Sequence, residues 1–148
     1  VVAGGITDVR NLGAIVRTAE CAGAHALVVP STGGAQINAD AVKTSAGALA
    51  HFPVARTRSL KQTCEYLKAS GLRLIAATEH GETYYQRANL AGPIALILGD
   101  EGTGVPEELL ALCDEKVRIP LHGQISSLNV SVAAGILLYA IENQRHKQ

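Results

Sequence analysis

Short, uninterrupted apolar runs alternate along this chain with longer segments in which apolar residues recur every three or four positions. Residues 26–30 (ALVVP), 72–77 (LRLIAA) and 94–98 (IALIL) are runs of the first kind, and they lack the polar alternation of strands with one wet face. Such strands, linked by helices, are typical of a parallel sheet that is covered by helices on both faces. The sequence therefore predicts a single α/β domain over residues 1–148.

Periodicity, caps and breakers place the individual elements. Gly71 is expected to end a helix, and Pro106 to lie in the first turn of another. Strands are predicted at 1–3, 26–30, 52–55, 72–77, 94–98 and 117–121. Helices are predicted at 11–22, 39–50, 59–69, 106–112 and 128–144.

Composition excludes several classes of protein. Hydrophobic residues make up 47% of the chain and charged residues 18%, which rules out a disordered segment. The formal net charge is zero, which argues against a strongly basic nucleic-acid binder. The charge is uneven, however, because residues 1–61 carry six Lys and Arg against three Asp and Glu. This first part of the chain is therefore a candidate for contact with phosphate.

The cysteines and histidines suggest no metal site. Cys21, Cys64 and Cys113 are odd in number and far apart, so neither a disulfide framework nor a zinc site is expected. Three unpaired cysteines favour a reducing, cytoplasmic setting. The five histidines are scattered, no apolar run approaches the roughly 18 residues of a membrane span, and no signal peptide is visible. We therefore expect no metal and no membrane association.

Three loops are candidates for the site, because ligands of open parallel sheets bind at the carboxyl ends of the strands. They are residues 7–17 (TDVRNLGAIVR), 99–104 (GDEGTG) and 120–131 (PLHGQISSLNVS). Each also has a structural interpretation. Asn11 could cap a helix with Arg17 as a surface charge, and Ser126, Ser127 and Asn129 could cap the last helix. The glycine-rich loop could be a tight turn, since it matches neither a Rossmann fingerprint nor a P-loop.

Taken together and in this order, the three loops resemble the motifs of the SpoU branch of the SPOUT methyltransferases. The first motif is the segment from Asp8 to Ala19 (DVRNLGAIVRTA), the second runs from Leu98 to Gly104 (LGDEGTG), and the third comprises 119–123 and 127–133. The sequence departs from the family at Val9, where a proline is usual. The family's small N-terminal RNA-binding domain is absent from the chain, which begins as if inside a strand.

The resemblance implies an α/β fold with a deep trefoil knot near the C-terminus, S-adenosylmethionine as the cofactor, and a homodimer. It implies transfer of a methyl group to a ribose 2′-hydroxyl of RNA, and the stretches 34–39 and 45–48 look most like the branch that methylates a guanosine of 23S rRNA. A tRNA substrate, a nucleotide-binding α/β protein without methyl transfer, and a non-catalytic RNA-binding module are the alternatives.

The resemblance also implies roles for individual residues. The catalytic residues would be Arg17, Asn11, Glu101, Ser127 and Asn129. The cofactor-binding residues would be Thr78, Glu79, Gly99, Gly102, Ile119, Leu121 and Leu128. In the family the closing helix lies at the dimer interface, and Arg10 and Arg17 of one subunit would face the cofactor of the other. We expect the apolar positions of that helix to divide between the sheet and a second subunit.

Overall fold

A computed structural model describes residues 1–147 of the protein; Gln148, the last residue of the predicted domain, lies outside the described residues. Residues 1–147 form seven strands and five α-helices. The strands are β1 (Val2–Gly4), β2 (Leu27–Pro30), β3 (Val54–Thr57), β4 (Arg73–Ala77), β5 (Thr83–Tyr84), β6 (Ile94–Gly99) and β7 (Glu115–Arg118). The helices are α1 (Val9–Cys21), α2 (Ala39–Thr44), α3 (Leu60–Ala69), α4 (Glu107–Leu110) and α5 (Val130–Arg145).

The strands form one sheet in the order β3-β2-β1-β6-β4-β7-β5, and every neighbouring pair is parallel. The α/β class and the parallel sheet are thus confirmed. Because all strands run the same way, their carboxyl ends share one edge of the sheet, here called the carboxyl edge. The three candidate loops begin at or lead away from this edge.

Helices cover both faces of the sheet, as the continuous apolar strands require. On one face, Leu12, Ile15 and Val16 of α1 and Leu137 of α5 belong to a single buried cluster. On the other face, a smaller cluster joins the strands to α3 and α4 and includes Cys64, Leu74, Ile97 and Leu109. Small residues allow close packing of the helices. At Gly13 a Cβ would lie only 1.9 Å from the Thr44 hydroxyl of α2.

Three predicted elements differ from the structure. The helix predicted over 39–50 ends at Thr44, because Ala46 and Gly47 adopt positive φ of 51° and 89°, and a 3₁₀ turn follows at Ala48–Ala50. The last predicted strand is shifted, and residues 119–121, including Pro120, lie beyond it. The two-residue strand β5 and the 3₁₀ turn at Tyr85–Arg87 were not predicted, since they are too short to show periodicity. The other elements agree to within two residues at each end.

Residues 1–147 contain neither a membrane-spanning helix nor a group of metal ligands. No helix in that range is both long enough and apolar enough to cross a membrane. Over the same range, no three His, Cys, Asp or Glu side chains are grouped so that they could hold a metal ion.

Candidate active site

A cavity of about 530 Å³ opens at the carboxyl edge beside the ends of β4, β6 and β7. Its volume falls within the range of small-molecule sites, roughly 300–1,000 Å³. All seven residues predicted to bind a cofactor line it: Thr78, Glu79, Gly99, Gly102, Ile119, Leu121 and Leu128. Of the predicted catalytic residues, Glu101 also lines it.

The walls of this cavity combine apolar side chains with carboxylates. Val117 of β7 and Val130, Ala133 and Leu137 of α5 belong to the apolar part. The lining also contains one histidine, His80, and four acidic residues: Glu79, Asp100, Glu101 and Glu107. No Lys or Arg is among the lining residues. The formal charge of the lining residues is therefore negative, which favours a cationic ligand over an anionic one.

The glycine-rich loop is held closed by its own backbone. Asp100 Oδ2 accepts hydrogen bonds from the amides of Gly102 (3.1 Å) and Thr103 (3.4 Å), and the amide of Gly104 donates to the Asp100 carbonyl at 2.8 Å. These amides are therefore already engaged and are not free to cradle a phosphate. The tight-turn interpretation of the loop is confirmed, and its use as a phosphate site is disfavoured.

Gly99 is required by the same loop. A Cβ at Gly99 would lie 2.2 Å from the backbone of both Gly104 and Val105, which is closer than non-bonded atoms can approach. Gly102 differs, because a Cβ there would meet only Asp100 Oδ2, at 3.2 Å. The need for glycine at position 99 thus comes from the fold of the loop, and space for a ligand is not required to explain it.

Helix α1 begins earlier than its apolar pattern predicts. The carboxylate of Asp8 accepts from the amide of Arg10 at 2.8 Å and caps the helix. Asn11 therefore lies inside the first turn, and the interpretation of Asn11 as the cap is wrong. Its side chain is available for another contact, since a different residue performs the capping.

Asn11 contacts the start of α5, 118 positions later in the chain. Asn129 Nδ2 donates to Asn11 Oδ1 at 3.0 Å, while Asn129 Oδ1 accepts from the amide of Ser131 (2.9 Å) and caps α5. The hydroxyl of Ser131 donates to the same oxygen. Glu101 Oε1 accepts from the amide of Val130 at 3.0 Å. We call Asn11, Glu101 and Asn129 the polar cluster; it joins all three candidate loops.

Two predicted catalytic residues lie outside the polar cluster. Ser127 is half-buried, and its hydroxyl makes no hydrogen bond within residues 1–147. Arg17 is exposed and has no hydrogen-bond or ion-pair partner in the described range. Because a helix turns about 100° per residue, Arg17 points roughly 120° away from Asn11 around the axis of α1. Arg10, seven residues before Arg17, lies on the same exposed face.

One interaction near the cavity was missed from the sequence. The guanidinium of Arg118 in β7 stacks on the ring of Tyr84 in β5, with its central carbon 4.2 Å from the ring centre. This contact lies just before residue 119, which lines the cavity. Asp100 and Glu107 were also not predicted as lining residues. Asp100 could have been inferred, since it lies within the glycine-rich motif, whereas strand β5 gave no sequence signal.

Comparison with known proteins now decides the family. The sequence profile of the SpoU rRNA Methylase family matches residues 1–139. The chain belongs to the SpoU family. The resemblance inferred from the three loops is thereby confirmed.

The relatives of this SpoU chain are longer proteins. It is 42% identical over 142 residues to the 23S rRNA (guanosine-2'-O-)-methyltransferase RlmB of Escherichia coli K12, which covers 95% of the chain and 58% of that protein. It is 45% identical over 140 residues to a Synechocystis protein described as an uncharacterized tRNA/rRNA methyltransferase, covering 95% of the chain and 36% of the relative. The chain thus spans between about a third and three fifths of these two relatives.

Solved structures share the SpoU fold described above. The methyltransferase AviRb from Streptomyces viridochromogenes, crystallised in complex with AdoMet, matches with a TM-score of 0.91 and 31% identity, covering 99% of this chain and 60% of that one. A TrmH/SpoU tRNA modifying enzyme from A. aeolicus matches with a TM-score of 0.89 and 30% identity, covering 99% and 74%. The parallel seven-stranded sheet is therefore that of SpoU methyltransferases.

Proposed function

We propose that this chain is the catalytic part of an S-adenosylmethionine-dependent enzyme that methylates a ribose 2′-hydroxyl of RNA, most closely a guanosine of 23S rRNA. The observation that carries the proposal is the cavity at the carboxyl edge with the polar cluster beside it, in a chain of the SpoU family. The similarity to RlmB supports the substrate. RNA selection is assigned to a separate domain, in keeping with the greater length of the relatives.

The cavity fits S-adenosylmethionine in size and in charge. The sulfonium of the cofactor is cationic, and four carboxylates without a Lys or Arg line the cavity. Apolar residues such as Ile119, Leu121 and Leu128 would enclose the adenine, and Thr78, Glu79, Gly99 and Gly102 would form the rest of the contact. When bound, the cofactor supplies an electrophilic methyl group. AviRb, crystallised with AdoMet, supports this assignment.

The residues of the chain have to align the ribose and allow the proton of its 2′-hydroxyl to leave. A hydroxyl is a poor nucleophile, so its proton has to leave as the new bond forms. Arg17 is a poor base, because a guanidinium stays protonated. We assign it to holding an RNA phosphate and stabilising negative charge on the 2′-oxygen, while the proton passes to water or phosphate. The polar cluster and the unbonded hydroxyl of Ser127 would orient the ribose.

We further propose a homodimer in which Arg17 acts on the site of the partner subunit. This arrangement accounts for an arginine that lies outside the polar cluster of its own chain. Exposed apolar side chains on α5 support a dimer, since Val132 and Tyr139 are 51% and 50% exposed while Leu137 is buried. Sedimentation should show a dimer at micromolar concentration. A monomer alone at that concentration would contradict this proposal.

The trefoil knot is also a proposal. Residues 119–129 lead from β7 to the start of α5, where the Val130 amide meets Glu101 in the loop after β6. This close crossing of two loops supports threading of the C-terminal part through the chain. An experimental structure whose backbone trace contains no knot would contradict it.

Calorimetry tests the assignment of the cofactor, and mapping of the 2′-O-methyl groups in cellular RNA tests the assignment of the substrate. S-adenosylmethionine should bind the chain, whereas NAD and ATP should not. Loss of the full-length protein from cells should remove one 2′-O-methyl mark from 23S rRNA, and the reaction is assigned to the cytoplasm. Loss of a tRNA mark instead would favour the second candidate, which the similarity to the A. aeolicus tRNA modifying enzyme supports.

A further inference from the structure

The carboxyl edge carries opposite charges at its two ends. The residues that line the cavity beside β4 and β6 include four acidic residues and no Lys or Arg. At the other end of the sheet lies β3, an edge strand whose last residue is Thr57. Arg56 and Arg58 flank Thr57, and Lys61 lies in the first turn of α3. A polyanion that reaches the acidic cavity would therefore be attracted along the edge from the β3 side.

The three cations at the end of β3 are free to bind a ligand. Arg56, Arg58 and Lys61 are exposed, and none has a hydrogen-bond or ion-pair partner among residues 1–147. Two basic residues farther along the chain differ, since Lys68 pairs with Asp114 at 3.2 Å and Arg73 with Glu115 at 3.1 Å.

The surface between β3 and the cavity offers little repulsion to phosphate. The loop that follows β2, residues 31–38, contains no acidic residue. The nearest carboxylates along the chain belong to Asp40, in the first turn of α2, and to Asp8, which is engaged as the cap of α1. Arg10 and Arg17 add exposed positive charge on α1.

We propose that the RNA lies along the carboxyl edge, with the target ribose at the cavity and phosphates several nucleotides away on Arg56 and Arg58, assisted by Lys61. The inference rests on the proposed function and adds the direction in which the RNA runs across the sheet, from the cavity towards β3. Three strand spacings separate β3 from β6, which is ~14 Å at 4.7–4.9 Å each. The cations are thus too far away to touch the reacting nucleotide, so they should govern RNA binding without affecting chemistry.

The test compares two double variants with the same change in net charge. Arg56→Gln with Arg58→Gln removes the proposed contacts. Arg145→Gln with Lys147→Gln is the control, since Arg145 lines a small cavity with Val1 and Ile94 at the opposite edge of the sheet. The probe is a single-stranded RNA of 20 nucleotides, and its affinity is measured as a function of salt concentration.

Each lost phosphate contact should lower the slope of log affinity against log salt by about 0.7 for a single strand, hence by about 1.4 for the Arg56 and Arg58 variant. KM for RNA should rise, while kcat, S-adenosylmethionine affinity and the unfolding temperature stay unchanged. The control should keep the wild-type slope. Equal slopes in all three proteins, or an equal loss in both variants, would overturn the inference. Failure of a wild-type chain that binds S-adenosylmethionine to bind the RNA would also overturn the inference, whereas failure to bind S-adenosylmethionine would overturn the proposed function.

Discussion

The side-chain Nδ2 of Asn129 donates to the side-chain Oδ1 of Asn11 at 3.0 Å. This hydrogen bond joins the first turn of α1 to the residue that caps α5. Asn129 therefore performs two tasks with different atoms. Its oxygen caps α5, and its nitrogen holds Asn11. The two tasks can be separated by substitution.

Asn129→Ser should keep the cap and lose the contact with Asn11, because the serine hydroxyl accepts from the α5 amides and is too short to reach Asn11. We expect near wild-type stability with reduced methyl transfer. Asn129→Ala should lose both and lower the free energy of unfolding by about 1 kcal/mol. Urea unfolding and an RNA methylation assay measure the two effects. Full activity in Asn129→Ser would show that the contact between the asparagines has no functional role.

Arg17→Lys should lower kcat by about 10²-fold, since lysine keeps the charge and loses the planar guanidinium that can hold two oxygens. Affinity for S-adenosylmethionine should stay the same, because Arg17 does not line the cavity of its own chain. Steady-state kinetics and calorimetry provide the readouts. A wild-type turnover rate in this variant would refute the bidentate role.

Gly99→Ala should destabilise the protein by about 2 kcal/mol or more, because its Cβ would collide with the backbone of Gly104 and Val105. Gly102→Ala is the matched control in the same loop, and it meets only the flexible Asp100 carboxylate. Thermal unfolding should separate the two variants before any ligand is added. Equal unfolding temperatures would mean that the loop has no need of glycine at position 99.

Asp114→Asn should make stability less sensitive to acid. The Leu74 amide, which donates to Asp114 at 2.8 Å, and the Lys68 ammonium lower the pKa of this carboxyl from its ordinary value of 3.8. The charged form therefore stabilises the fold above that value, and this contribution is lost as the pH falls through the lowered pKa. Denaturant midpoints between pH 2 and 7 should show a shallower acid decline in the variant. Glu82→Gln, an exposed loop substitution, should follow the wild-type profile.

Cys113 should resist alkylation. Burial raises the pKa of its thiol to about 11, and its Sγ contacts the Leu109 carbonyl at 3.1 Å. Thiolate is the reactive form, so only about one thiol in a thousand is reactive at pH 8. Iodoacetamide followed by mass spectrometry should label the exposed Cys21 first. Faster labelling of Cys113 would indicate that this part of the fold opens readily.

Much of the architecture could be predicted because buried parallel strands have a simple sequence signature. The run IALIL identifies β6, and Ser59 marks the start of α3, where its hydroxyl accepts from Gln62 at 3.1 Å. Elements without periodicity were missed, as with β5. The end of α2 was also missed. Ala46, which follows it, adopts a left-handed φ of 51°, and alanine adopts this conformation so rarely that its presence in a sequence does not indicate a helix end.

The candidate site was predictable as a set of loops and unpredictable in its contacts. The motifs identified the cavity residues. They did not show that Asp8 caps α1 and so leaves Asn11 for Asn129, nor that Asp100 occupies the loop amides. In both cases a backbone amide could donate to any of several nearby side-chain acceptors of similar strength. The spacing of residues in the sequence does not show which acceptor it uses.

The position of the transferred methyl group tests the central claim most directly. The protein is incubated with S-adenosylmethionine labelled in its methyl group and with unmodified 23S rRNA, and the product is digested with alkali and sequenced. The proposed function predicts label in one alkali-resistant dinucleotide with its methyl group on the 2′-oxygen of a guanosine. Label on a base, or no transfer by a protein that binds both cofactor and RNA, would contradict it.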